Sequence, residues 1–371
     1  MTRRGFISFL LLMAVVTGCR IEPPLHLRER LYAEFVLEDH VEVLGLWPPD
    51  WQAVWDFRWN EQTLGSLGYQ LPSSHRVHIY PLDEKGKHID YAVRNFNGFV
   101  TEVPVSFGRY DFLFHNNDSE VLLFSQVPGT DDVFCNTRPI SRGLRASSLL
   151  LTVQQKANGT KAEDSGTGEE PVALMPDALF SCFDANREIT GDLSQYTYTD
   201  GRYVLRIKED LYPLTYIHLV QIRLVNNDGR VVGSAGGGAL TGVADGVNLH
   251  TLVNADGTVS VPTEVYMDRE RDMMAARLVS FGIPGCNPRD KASVAASESQ
   301  HFLVLNVAYN NGSYRNVRID ITDQIRALPL GGVIDLTLDV NDFPPEGGAS
   351  GGFVALIEEW DEETGTVTII N

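Results

Sequence analysis

The sequence predicts an all-β protein built as two successive β-sandwich domains, and three observations predict it. Short runs rich in Val, Ile, Tyr and Phe alternate apolar with polar residues at period two, separated by Asn, Asp and Gly turns. No long amphipathic helix competes with them across the 371 residues, which argues against alternating βαβ units. The third is length: a single core stops growing below this size, so two domains are expected.

Arg3 and Arg4 stand ahead of an apolar run from Gly5 to Val16. It is too short to cross a bilayer as a helix and has the length of a secretory h-region. Val16-Thr17-Gly18-Cys19 closes the run, matching a bacterial lipobox, whose small residues admit the peptidase to the bond before a diacylated cysteine. Residues 1–18 are therefore expected to be a signal peptide, Cys19 the lipidated mature N-terminus, and 19–30 a tether. Each buried methylene contributes about 0.8 kcal/mol, so two or three acyl chains hold a protein firmly on a membrane. Arg20, rather than an acidic residue, follows the cysteine, which favours sorting to the outer membrane.

The first sandwich is expected over residues 31–198. Its strand candidates are LYAEFVLE (31–38), RVHIYPLDEKGK (76–87), FVTEVPV (99–105), RYDFLFHNND (109–118) and EVLLFSQV (120–127), with turns at 83–86 and 116–118. Trp47, Trp51, Trp55 and Trp59 recur every four residues. Pro48 and Pro49 interrupt a helix at its start, and the alternation of Trp55, Phe57 and Trp59 with Asp56 and Arg58 predicts a strand with the three aromatics in the core. Trp47 and Trp51 then remain as candidate ligand-binding residues, because exposed indoles stack on sugars. Residues 154–170 are polar and without period, the pattern of a mobile loop. A short helical turn is expected over 177–183, after Pro176.

The second sandwich is expected over residues 199–371. YVLRIKE and TYIHLVQIRLV open it, and Leu303, Leu305, Val307 and Tyr309 form one face of a hairpin that turns at Asn310-Asn311-Gly312 and returns through Val317, Ile319 and Ile321. A helical turn is expected at 323–327 with Thr322 as its cap. In VIDLTLDV, Ile334, Leu336, Leu338 and Val340 point inward, and residues 353–371 read as a final strand pair.

Composition excludes several functions. Thirty Lys and Arg against 49 Asp and Glu give a formal charge of −19, which becomes −21 once Arg3 and Arg4 leave with the signal peptide. That field repels nucleic acid. Cys135, Cys182 and Cys286 are widely spaced and odd in number, so they form at most one internal disulfide and neither a zinc site nor a disulfide framework. The glycines of GSAGGGALTGVADG (233–246) lack the Gly-Lys-Ser/Thr end of a phosphate loop and are assigned to tight turns and close strand approach. Gly348-Ala349-Ser350-Gly351-Gly352 matches the spacing of a hydrolase elbow, but no histidine follows His301 to serve as base. His75 and His78 lie three apart on a strand, so they face opposite ways and read as ordinary polar positions. The acidic runs 339–342 and 358–363 lack calcium-loop spacing. No cofactor, metal site or catalytic set is expected.

Four stretches carry a resemblance: VPVSFGRYDFLFHNND (103–118), MPDALFSCF (175–183), GGGALTGVAD (236–245), and VRIDITDQI (317–325) followed by GGFVALIEEWDEE (351–363). In these the chain resembles a family of Bacteroidales lipoproteins of unknown function, related to the fimbrial anchor and fimbrillin superfamily. The resemblance implies two tandem transthyretin-like, Greek-key sandwiches behind a lipid anchor. It further implies assembly by strand exchange, in which a neighbour's terminal strand fills a groove. Shaft subunits of that superfamily lose their N-terminal strand to an arginine-directed protease, whereas anchors keep it. Arg28 and Arg30 are the candidate cut points here, and retention is expected, with Cys19 as the tether and residues 353–371 as an assembly surface. The implied protein is a non-enzymatic, surface-exposed outer-membrane lipoprotein acting in adhesion or assembly, with pilus or other surface subunits as partners. The alternative is a glycan-binding surface lipoprotein.

Overall fold

The computed structural model describes residues 31–39, 51–126, 133–140 and 170–345. Strands dominate these residues, and the helices are single turns or little more. The all-β expectation is thus met. The first ten strands are β1 (Leu31–Asp39), β2 (Ser74–Leu82), β3 (Ala92–Asn97), β4 (Val100–Pro104), β5 (Gly108–Asn116), β6 (Leu122–Gln126), β7 (Val133–Thr137), β8 (Phe180–Ile189), β9 (Thr197–Thr199) and β10 (Arg202–Pro213).

Eight of them form one sheet in the order β3-β2-β5-β8-β10-β1-β4, with β9 on β10. The sheet folds over on itself at β10, which pairs with β1 from Tyr203 to Leu211 and touches β8 only through Tyr212 and Pro213. Period two then does its work: Ala33 and Phe35 from β1, Val103 from β4 and Ile207 from β10 meet Val77, Phe112, Phe114 and Phe180 from the opposite layer in one core. Phe35 sits at its centre, its ring 4.8 Å from that of Phe112 and 5.0 Å from that of Phe114.

The remaining strands are β11 (Tyr216–Val225), β12 (Val231–Ala244), β13 (Gly246–Asn248), β14 (Thr258–Thr263), β15 (Tyr266–Asp268), β16 (Met273–Ser280), β17 (Phe302–Tyr309), β18 (Tyr314–Asp320) and β19 (Gly332–Asp339). Sheet β15-β16-β11-β19 supplies Val220, Ile222, Met274, Leu278 and Ile334 to a second core, and sheet β14-β12-β17-β18 supplies Leu240, Val259, Val261, Leu303, Leu305 and Val307. The β17–β18 hairpin pairs as its alternation predicts, Leu303 opposite Ile319 and Leu305 opposite Val317.

The glycines of β12 allow close approach. At Gly242, with φ +76, a Cβ would lie 2.1 Å from the Gln300 carbonyl oxygen; at Gly237, with φ +82, one would lie 2.2 Å from that of Thr263. Only glycine fits either position, and the ladder shifts register around both.

A third sheet, β13-β7-β6, joins the two halves. Tyr80 and Leu113 from the outer face of the first sheet pack there with Val133, Cys135, Val247, Leu249 and Phe281. Glu170 adds a polar tie, accepting from the Ser260 hydroxyl at 2.6 Å and the Gly242 amide at 3.0 Å. The join expected between 198 and 199 stands one strand before the chain passes, over Leu214 and Thr215, from the first sheet to the second.

Several local expectations are corrected. Residues 180–183 are strand rather than helical turn, because the start of β8 is covered on both sides: Phe180 enters the first core with Cys182 packed against it, and Phe183 packs against the third cluster. A strand covered on two faces shows no period two. Residues 55–59 are not a strand: Trp51–Val54 forms a turn of helix, α1, and an extended stretch without sheet pairing follows. Glu61–Leu64 forms a second turn, α2, capped by the Asn60 side chain. Lys291–Ala296 is α3, and Thr322–Ala327 is α4. Thr322 is the first residue of α4 rather than its cap; the Asp320 carboxylate accepts the Thr322 amide at 2.9 Å. His75 and His78 face opposite ways as expected, but both are buried. The strand pair at 353–371, the elbow-like glycines 348–352, the acidic run 358–363 and nearly all of the loop 154–170 lie outside the described residues.

Candidate functional site

Of the residues singled out in the sequence, Cys19, Arg28, Arg30 and Trp47 lie outside the described residues, as does the side chain of Trp51, which opens α1. The strand that this N-terminal segment leads into is described. β1 lies between two neighbours, parallel to β10 over all nine residues, Leu31 to Asp39, and antiparallel to β4 from Tyr32 to Val36. Leu31, Ala33 and Phe35 are buried, and Glu34 on the other face meets Arg206 at 3.3 Å. The chain therefore enters the fold through an interior strand with both edges paired.

Residues 51–72 form a strap that lies between β1 and β2 of the first sheet in sequence but covers the outer face of β11 and β16. Phe57 is buried against Met273 and Ala275, and Leu67 against Ile217, Leu219 and Val279. Polar groups fix the register. The Gln221 side chain accepts the Asp56 amide at 2.7 Å and donates to the Val54 carbonyl at 2.8 Å, and the Asp56 carboxylate meets Arg271 at 2.6 Å and Arg223 at 3.4 Å. Those guanidiniums, Arg271 first, hold Asp56 below the usual carboxylate range. Trp59 is half-buried, its indole donating to the Gly65 carbonyl at 2.8 Å and its ring edge-on to Tyr266 with centroids 5.1 Å apart. Trp55 and Trp59 thus belong to a packed strap, at the head of which α1 begins with Trp51.

The sequence reading missed a buried polar chain. His115 Nδ1 lies 2.8 Å from the Asn116 carbonyl oxygen, which only accepts, so that nitrogen carries the proton. His115 Nε2 is then the acceptor for His78 Nε2 at 3.0 Å, and His78 Nδ1 accepts from the Tyr91 hydroxyl at 3.0 Å. One neutral tautomer of each ring satisfies all three contacts. Burial pushes His78 down to about 4 and His115 to about 3. The ring centroids are 5.1 Å apart, so the two Nε2 lone-pair axes run nearly end to end rather than converging on a third point where an ion would sit. The signal was a histidine set in each of two apolar strand runs, HRVHIY and FLFHNN.

Among the described residues no group of three or more His, Cys, Asp or Glu is placed to hold a metal ion. Cys135, Cys182 and Cys286 are free thiols, which settles the pairing the sequence left open. Burial raises all three, and the Cys182 thiol donates to Glu209 at 3.5 Å. Among the described residues no helix is long and apolar enough to cross a membrane.

No curated protein matches this chain. Among solved structures, a candidate adhesin of Bacteroides ovatus is similar over 87% of this chain and 97% of its own at 15% identity and a TM-score of 0.47. A candidate polysaccharide-binding protein of Bacteroides thetaiotaomicron covers 84% and 91% at 9% identity and 0.41. The fimbrial anchor protein Mfa2 of Porphyromonas gingivalis covers 84% and 90% at 11% identity and 0.40. A family model described as a domain of unknown function, DUF5119, matches residues 52–264 and so takes in three of the four stretches on which the resemblance rests. With more than half of its length inside that match, the chain belongs to the DUF5119 family.

Proposed function

We propose that the protein is a non-enzymatic, surface-exposed outer-membrane lipoprotein of the fimbrial-anchor or adhesin type, two transthyretin-like sandwiches held to the membrane through lipid on Cys19. The observation that carries this reading is the seating of β1. In strand-exchange assembly an acceptor subunit opens its groove by losing a terminal strand. Arg28 and Arg30 precede β1, so a cut at either severs the lipid tether and leaves the strand in its sheet. No Lys or Arg occurs from Leu31 to Phe57, and the next, Arg58, pairs with Glu270 at 2.8 Å on the strap. A basic-residue protease therefore has no site between β1 and the strap from which to release it, as suits a subunit that keeps its strand and its anchor.

The tether is short. Eleven residues lie between Cys19 and Leu31, a span of at most about 40 Å when fully extended, so the first core stays close to the bilayer and the second carries contacts outward. Mild crosslinking of intact cells followed by purification of this chain tests the reading. Surface or pilus subunits among the captured proteins support it, and capture of periplasmic proteins alone contradicts it.

A second reading, glycan binding, is favoured by the position of Trp51 at the head of the strap carrying Trp55, Phe57 and Trp59. Glycan-array binding that disappears in Trp47→Ala and Trp51→Ala would replace the assembly reading with this one.

A further inference from the structure

Where the strap, the β5–β6 turn and the segment before β8 converge on β16, they line a half-open pocket of about 420 Å³ at the junction of the two halves. That volume falls in the range of small-ligand sites, which favour such junctions. Arg277, Asp118, Ser119 and Asp177 are among the residues that line it. Arg277 donates from Nε to the Leu67 carbonyl at 3.2 Å and from one terminal nitrogen to that of Gly68 at 3.0 Å. A guanidinium offers five N–H groups, and those left over have no partner among the described residues. No described carboxylate lies within ion-pair distance of it, and burial lowers its pKa. A half-buried cation with neutral acceptors alone is costly, and a carboxylate in bidentate contact offsets that cost.

The acidic part of the lining is built to accept. The Asp118 carboxylate is engaged by its own chain, taking the Ser73 amide at 2.6 Å, the Ser73 hydroxyl at 3.2 Å and the Asn116 side-chain amide at 3.2 Å. Asp177 takes the Ser119 hydroxyl on one oxygen at 2.6 Å, leaving the other open on an exposed residue. The exposed side chain of Gln70 adds a donor and an acceptor at the rim. One unpaired cation in the same lining as neutral and anionic acceptors matches a ligand that carries both a carboxylate and hydroxyl donors.

We infer that this pocket binds an acidic saccharide of the uronic-acid class, its carboxylate on Arg277 and its hydroxyls on Asp177 and Ser119. The site depends neither on the lipid anchor nor on Trp47 and Trp51. Titration of the full chain in detergent with digalacturonate, its neutral counterpart galactobiose and the open-chain acid gluconate tests it. Expected are saturable binding of digalacturonate with a raised melting temperature of the unaltered protein, and at least roughly tenfold weaker binding of galactobiose and of gluconate. Arg277→Gln is expected to weaken digalacturonate by roughly tenfold or more. Because that substitution also loosens the strap, Asp177→Ala at an exposed position of the lining serves as the second variant. It removes only an acceptor and is expected to weaken binding roughly fivefold with no change in melting temperature. Equal binding of galactobiose removes the role of the carboxylate, and equal binding of gluconate removes the saccharide. Digalacturonate affinity unchanged in both variants, or no binding to the unaltered chain at millimolar concentration, overturns the inference.

Discussion

His78 Nε2 donates to His115 Nε2 across 3.0 Å in the interior of the first half, and the chain of hydrogen bonds from Tyr91 to the Asn116 carbonyl exists only while both rings are neutral. His218 and His301 are also buried, each pushed down to about 4. For all four the folded pKa lies below the ordinary value of 6.5. Their contribution to stability is therefore complete above pH 6.5 and is lost as pH falls from there through 4, at about 1.4 kcal/mol per pH unit per group. Glu209, raised to about 7 chiefly by burial, acts in the opposite sense, gaining stability as pH falls, but it is one group against four. Urea midpoints are expected to fall steadily from pH 7 to pH 4.5. The slope is expected to flatten in His115→Phe, which removes one titrating ring from a site where it stacks on Phe124 at 4.2 Å.

Gly242→Ala is expected to cost about 3 kcal/mol or more, because the new methyl collides with the Gln300 carbonyl and the positive φ adds its own penalty. Gly229, also at positive φ but with nothing within 4 Å, separates the two causes. Gly229→Ala is expected to cost only about 1 kcal/mol, the conformational part. Thermal unfolding of the two variants checks both values.

Phe57→Ala is expected to cost about 3 kcal/mol, since the ring is buried between the strap and β16. Limited proteolysis of this variant is expected to begin within the strap. Val54→Ala on the exposed end of α1 should leave both stability and the cleavage pattern unchanged.

Much of the fold is written at period two in the sequence. Ile334 and Leu336 alternate with Asp335 and Thr337 because one side of β19 faces solvent, and Leu303, Leu305 and Val307 share one face of β17 although Val304 between them is buried on the other against Ala239. The stretch ALFSCF escaped that pattern for the opposite reason: Leu179 and Phe180 serve different cores, so both faces are apolar. The tryptophans after Pro49 misled differently. Their alternation is real, but Trp55, Phe57 and Trp59 cover another sheet's outer face without joining any ladder, and sequence spacing does not distinguish a strap from a strand. The candidate pocket was illegible for a further reason, since Asp118, Asp177 and Arg277 come from three distant segments that only the tertiary fold brings together. The glycines of β12 were legible, because no residue with a Cβ fits where backbone meets backbone.

The central claim is that this chain keeps both its lipid and its first strand. Mass spectrometry of the N-terminal region of the protein purified from native envelopes tests it most directly. The account predicts acyl chains on Cys19 in a polypeptide continuous through Leu31 and Phe57. An unacylated cysteine, or a mature chain beginning at Glu29 or Leu31, would contradict it.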